Sequence, residues 1–204
     1  MRFPGIRLLV FAKAPVPGQV KTRLAPVLAA AGAAALHARL VEESIARFTA
    51  ATLCPVELHC APDTHHPLFQ DLAQRHSITC RAQRGGDLGA RMGHAAEQCL
   101  EAGGWPLLVG TDCPLLDRAM LVAACEALQD GHPAVLGPAE DGGYVLLGLR
   151  QPVPELFRDM AWGTDRVLAD TRARLAARGW DWHELPLLWD LDRPGDLRRY
   201  QALD

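Results

Sequence analysis

Short apolar runs alternate with helical patterns along this chain, and that alternation restricts its fold more than any other feature. Leu8–Phe11 reads as a first strand, and Ala29–Ala51, rich in Ala, Leu and Glu at helical spacing, as the first helix. Pro55–Ala61 alternates like a second strand, Pro67–His76 reads as a short helix and Ser77–Arg81 as a short third strand. A helix over Asp87–Ala102 is stopped by Gly103–Gly104, and the fully apolar Leu107–Val109 follows as a strand. Next come a helix over Arg118–Gln129, strands over Ala134–Gly137 and Gly143–Leu149, and a helix over Thr164–Ala177 that ends before Gly179. Leu185–Leu188 reads as a strand or extended run, and Pro194–Leu203 as a closing helix. Strands separated by helices predict an α/β fold, a three-layer α/β/α sandwich on a mostly parallel, Rossmann-like sheet. A single domain over residues 1–204 is expected. In such sheets ligands sit beyond the carboxyl ends of the strands.

The loop after the first strand is therefore the first place to look. Arg7–Leu24 reads RLLVFAKAPVPGQVKTRL, with Lys13, Lys21 and Arg23 and no acidic residue. A strand, an irregular cationic loop and then a helix present positive charge to a phosphate. The plainer alternative is a surface loop with three solvated cations. The loop has neither the Walker spacing nor the Gly-x-Gly-x-x-Gly dinucleotide fingerprint, so an ordinary ATPase or dehydrogenase is not indicated. The formal net charge of −3 gives no global basic field, so nucleic acid is not an expected partner. No targeting or membrane-spanning segment is read, which points to a cytoplasmic protein. Six cysteines without a Cys-x-x-Cys pair argue for small buried hydrophobes rather than zinc or disulfides.

Four further segments carry candidate chemistry. Val109–Leu115, VGTDCPL, places Thr111 and Asp112 at the end of an apolar strand. One carboxylate beside a cationic loop suits a divalent metal that bridges phosphate oxygens; an Asx-turn or helix cap would use the same residue. Gln83–Met92, QRGGDLGARM, supplies glycines that let backbone amides approach a ligand, with Arg91 as a permanent donor and Asp87 as a helix cap. Pro138–Gly148 carries Glu140 and Asp141 before a Gly142–Gly143 turn and Tyr144, either a turn into a buried strand or a floor beneath a substrate. Trp189–Leu197, WDLDRPGDL, holds Asp190 and Asp192, of which one is expected to face a metal while the other caps or pairs. Cys113 has no histidine placed by sequence to activate it and is assigned to packing.

In this order and register, these segments resemble the glycosyltransferase-A-like nucleotide-diphospho-sugar transferase superfamily. Within it they look like an uncharacterised bacterial group of radical-SAM/selenodomain-associated transferases, itself similar to 2-phospho-L-lactate guanylyltransferase. The residues that carry the resemblance are 11–24, 83–92, 110–116, 140–149, Trp162–Gly163–Thr164 and 190–197. The resemblance implies a nucleotide site of Ala12, Lys13, Gly18, Lys21, Arg23, Gln83, Gly86, Asp87, Leu88, Gly89 and Thr111. Lys13, Lys21, Arg23 and Asp112 would be catalytic. It implies Mg²⁺ or Mn²⁺ on Asp112 and Asp192, with Asp190 as runner-up, and a substrate side of Glu140, Asp141, Gly142, Gly143, Tyr144 and Trp162. Where many sugar transferases carry Asp-x-Asp, this chain reads Thr111–Asp112–Cys113, with one acid. Nucleotidyl transfer from a nucleoside triphosphate to a small phosphorylated acceptor, with release of pyrophosphate, is the leading expectation. Glycosyl transfer from a nucleotide-sugar is the alternative, and a non-catalytic nucleotide-binding module is the third.

Overall fold

The computed structural model describes residues 1–203. Its centre is one seven-stranded sheet in the order β3-β2-β1-β4-β6-β5-β7. In chain order these strands are β1 (Ile6–Lys13), β2 (Val56–Ala61), β3 (Thr79–Ala82), β4 (Trp105–Val109), β5 (Ala134–Pro138), β6 (Tyr144–Leu149) and β7 (Trp182–Glu184). The helices are α1 (Ala25–Ala50), α2 (Pro67–His76), α3 (Leu88–Glu101), α4 (Arg118–Gln129), α5 (Val167–Ala177) and α6 (Pro194–Gln201). Neighbouring strands pair in parallel except at β6, which runs antiparallel to both β4 and β5. The expected α/β architecture on a mostly parallel sheet is what the chain adopts.

Alternation along β1 divides the core. Ile6, Leu8 and Val10 join Val41, Ile45 and Phe48 of α1, while Leu9 joins Met92, Ala95, Ala96 and Cys99 of α3. Burial of such side chains, at about 25 cal/mol per Å² of apolar area, holds the layers together. Two local departures from expectation matter. The long first helix begins at Ala25 but is broken at Ala29, whose φ of 54° and ψ of 168° are not helical. The last strand is Trp182–Glu184 rather than Leu185–Leu188; the latter run is apolar because Leu185 and Leu188 enter the core, with one bridge from Leu188 to Ala139.

One helical stretch, Thr22–Ala50, is long and apolar enough by composition to cross a membrane, with a mean hydropathy of 1.6. One face of that stretch, from Ala33 through His37, Val41 and Ile45 to Phe48, is buried.

Candidate functional site

At the carboxyl ends of β1 and β4 lies a cleft of about 390 Å³. Its walls include Ala12 and Lys13 from β1, Gln83, Leu88 and Arg91 from the segment after β3, Thr111 and Asp112 after β4, and Tyr144, His37 and Asp190. A larger cavity of about 550 Å³ lies along another face of α3, and its lining includes neither Asp112 nor the loop after β1.

Lys21 lies behind Asp112, outside the cleft lining itself. Its backbone is left-handed, with φ 47° and ψ 38°, a conformation that costs a non-glycine residue on the order of 1 kcal/mol. Its ammonium is buried and donates to the Leu191 carbonyl at 2.6 Å, and it lies 2.8 Å from Asp112 Oδ1. Asp112 Oδ1 is itself buried and has no aligned hydrogen bond, so the contact with Lys21 is an ion pair. The backbone N–H of Leu191 donates to the Asp112 carbonyl at 2.8 Å. Leu191 thus ties the loop after β1, the end of β4 and the aspartate segment into one unit. From α1, Ser44 Oγ reaches the Thr111 carbonyl at 3.5 Å and Arg47 donates to the Pro114 carbonyl, which fixes the loop bearing Asp112 from below.

Asp190 lies deep in this cleft. Burial, and then the neighbouring carboxylates of Asp112 and Asp141, push its carboxyl up to about 7. Asp192 lies elsewhere: it pairs with Arg23, and the cleft lining does not include it. Of the two expected aspartates, the cleft lining thus includes the runner-up Asp190 and not Asp192. The chain bends at Leu191, so carboxylates that a regular strand would leave on one face are separated.

Other expected residues are also distributed unevenly. Lys13 Nζ donates to the Gln19 carbonyl at 2.9 Å, and the Gln83 amide donates to the carbonyls of Ala12 and His59 at 3.2 and 2.8 Å. Asp87 caps α3 by accepting from Ala90 N at 2.7 Å. Gly89 is a packing position: a Cβ there would lie 2.3 Å from both the Phe157 carbonyl oxygen and the Trp162 indole nitrogen. Gly142, with φ 85°, has the same constraint against Asp165 O at 2.2 Å. Asp141 accepts from Gly143 N at 2.9 Å. The Glu140 carboxylate is held by Arg199 through two hydrogen bonds of 2.8 and 3.0 Å. Gly18, Lys21, Arg23, Gly86, Asp87, Gly89, Glu140 to Gly143, Trp162 and Asp192 are all outside the cleft lining. The Tyr144 hydroxyl and the Trp162 N–H are both buried without a partner among the described residues, and their rings meet edge to face at 6.4 Å. Burial raises the Tyr144 hydroxyl. The Cys113 thiol is pushed up to about 11, chiefly by burial, which makes it a poor nucleophile.

Sequence reasoning passed over His37. Its Nε2 donates to the Lys13 carbonyl at 2.9 Å, which leaves Nδ1 3.9 Å from Asp112 Oδ1. Burial lowers its pKa and favours the neutral ring. A lone histidine in an Ala-rich helix carries no spacing signal. Leu191, whose role is entirely in its backbone, carries none either.

Solved structures of described nucleotidyl and nucleotide-sugar transferases share this α/β fold. A protein of Desulfovibrio desulfuricans, provisionally described as a nucleotide-diphospho-sugar transferase, matches 93% of this chain and 83% of its own at 29% identity, with a TM-score of 0.84. CMP:2-keto-3-deoxy-manno-octonic acid synthetase, complexed with CTP, matches 97% of this chain and 98% of its own at 10% identity and a TM-score of 0.60. Glucosyl-3-phosphoglycerate synthase of Mycobacterium tuberculosis, held with Mn²⁺, UDP and glucosyl-3-phosphoglycerate, matches 98% and 76% at 11% identity and a TM-score of 0.57. The last two likenesses establish the fold alone. No curated protein matches the chain. The chain belongs to the family described as "Uncharacterized protein conserved in bacteria (DUF2064)", whose model matches residues 44–164.

Proposed function

We propose that this chain is a metal-dependent nucleotidyltransferase that joins the nucleotide of a nucleoside triphosphate to a small phosphorylated acceptor. The observation that carries the reading is Asp112 in the cleft wall, held from behind by the buried Lys21 ammonium, which is itself locked to the Leu191 carbonyl. That ammonium sits where a cationic loop and a pair of crowded carboxylates meet.

The donor set suits a hard divalent cation. Asp112 Oδ1 is buried and lacks an aligned donor, and Asp190 is crowded by carboxylates that one ammonium does not balance. Asp112 and Asp190 would hold Mg²⁺ or Mn²⁺, which when bound polarises phosphate oxygens and offsets their charge. Among the described residues no group of three His, Cys, Asp or Glu side chains forms a complete metal cage, so ligand oxygens would complete the coordination.

The protein's own part is positioning and charge neutralisation. An acceptor phosphate oxygen attacks the α-phosphorus, and the bond from that phosphorus to the bridging oxygen of the β-phosphate breaks. Pyrophosphate leaves with that bond's electron pair, and Lys13 and Arg91, which line the cleft, neutralise it, while Lys21 holds Asp112 in place. Gln83, Ala12 and Leu88 line the nucleoside end. Tyr144 in the cleft wall, with Asp141, Gly142, Gly143 and Trp162 behind it, forms the acceptor side. One observation favours glycosyl transfer as a second reading: the structural relative at 29% identity is itself described as a sugar transferase.

A pyrophosphate-release assay tests the proposal. Each of the four ribonucleoside triphosphates is supplied with Mg²⁺ or Mn²⁺ and a panel of phosphorylated acids and sugar phosphates. Metal-dependent release that falls on the order of a hundredfold or more in Asp112→Ala is expected. Nucleoside diphosphate release from a nucleotide-sugar, without pyrophosphate from any triphosphate, would replace the proposal with glycosyl transfer.

A further inference from the structure

On the α3 side of the sheet, β2 and the edge strand β3 carry a row of polar side chains beside the apolar ones of β1. In register, Leu9 and Phe11 of β1 stand beside Glu57 and His59 of β2, and these stand beside Thr79 and Arg81 of β3. Between this row and the C-terminal half of α3 lies a separate cavity of about 460 Å³, lined by Arg7, Glu57, His59, Arg81, Gln98 and Cys99 among others.

Two features of the row are unfinished. Arg81 contacts Glu57 through its Nε edge at 2.6 Å, and Arg7 approaches the same carboxylate only to 3.6 Å. Among the described residues the Nη groups of Arg81 make no hydrogen bond, and Arg7 makes none either, its Nη1 only approaching Glu57. His59 is only 4% exposed, yet its Nε2 has no hydrogen bond, since Glu57 Oε2 lies 3.8 Å away. A polar group withdrawn from water without a partner costs on the order of 1–3 kcal/mol, and His59 is such a group, while Arg7 and Arg81 stand partly exposed at the mouth of the cavity.

We propose that this second cavity binds a small oxyanion, a carboxylate or a phosphate, between the guanidinium groups of Arg7 and Arg81 and the Gln98 amide. Arg7 and Arg81 set against Glu57 leave one positive charge, which a single anionic group neutralises. Glu101 on the exposed rim disfavours a second anionic group. The site adjoins the cleft, because the His59 ring stacks on Phe11 at 5.1 Å and 13°, and Phe11 lines the cleft. It is independent of the proposed reaction.

The test follows the His59 imidazole resonance by NMR, assigned through its loss in His59→Asn, as the full chain is titrated with inorganic phosphate and separately with acetate. The expected result is a saturable shift with at least one anion. It should weaken about tenfold or more in Arg7→Gln and in Arg81→Gln, the loss of one charge-assisted hydrogen bond. Response to phosphate alone assigns a phosphorylated ligand, and response to both assigns carboxylates as well. Because phosphate can also enter the cleft, the titration is repeated in Lys21→Ala, where the shift should persist. Arg7→Gln, which removes only the longer contact to Glu57, is the variant that decides if Arg81→Gln does not fold. No saturable shift would overturn the proposal. So would a shift that survives Arg7→Gln but disappears in Lys21→Ala, since the anion would then sit in the cleft.

Discussion

Lys21 holds a left-handed backbone that a lysine adopts only when both ends of the residue are fixed. The side-chain end is fixed by Asp112 and Leu191, so the strain and the ion pair belong to one device. At this scale the sequence was informative about residue types and poor at choosing between neighbours. That Lys13, Gln83, Thr111 and Asp112 stand in the cleft lining was legible because each closes or closely follows a strand. The choice between Asp190 and Asp192 was not, because a bend at a single leucine decides it and a bend leaves no periodic trace. The two aspartates should therefore respond differently. Asp190→Asn is expected to lower nucleotide-dependent turnover on the order of a hundredfold or more. Asp192→Asn removes an exposed ion pair with Arg23, of a kind that contributes at most about 1 kcal/mol, and should change turnover by only a few-fold. Steady-state kinetics of both variants, side by side, check this; equal losses would put Asp192 back in the metal site.

Elements meet the site through close approaches rather than through side-chain chemistry alone. The N-terminus of α3 passes so near the 157–162 segment that only glycine fits at residue 89. Alanine would improve helix propensity there by about 1 kcal/mol, but its Cβ would meet a backbone carbonyl that cannot swing away. Overpacking costs typically about 1–3 kcal/mol, and the clash is with backbone, so it dominates. Gly89→Ala should lower Tm by several degrees in calorimetry. Gly195→Ala, in open space within α6, should leave Tm unchanged or raise it slightly. Pro67–His76 and Arg118–Gln129 were legible to the residue because Pro67 opens one helix and Asp117 caps the other. The last strand was missed because Trp-His-Glu on an edge has no apolar signature, whereas the neighbouring leucines have one for a different reason.

Over the whole molecule, the strand order and the reversed β6 bring the carboxyl ends of β1 and β4 and the start of β6 together in one cleft, which α1 and α3 wall in. The mostly parallel architecture was legible from alternation, and the polar row on β2 and β3 was not, because a strand's two faces cannot be ranked without its neighbours. That row links stability to pH. Glu57 is held down to about 2, by the His59 ring and by Arg81, whose hydrogen bond at 2.6 Å is the closest contact. A carboxyl whose folded pKa lies below its unfolded value of about 4.5 stabilises the fold above that value. The contribution is lost as pH falls from about 4.5 towards 2. Denaturant unfolding of Glu57→Gln should show a deficit on the order of 2–3 kcal/mol at pH 7 that closes by about pH 2. A deficit unchanged with pH would mean that packing, not charge, is what Glu57 supplies.

The backbone of Leu191 has a further consequence, in time rather than in space. Its N–H and C=O close the contacts to Asp112 and Lys21, yet it lies 79 and 170 residues after them in the chain. As the ribosome delivers the chain from its N-terminus, the sheet edge, the cationic loop and Asp112 all emerge before the residue that locks them. Until Leu191 arrives, Lys21 has no carbonyl to hold it in its strained conformation. A nascent chain can therefore carry most of its core and still lack the lock behind Asp112, so completion of the cleft is deferred to the last steps of synthesis.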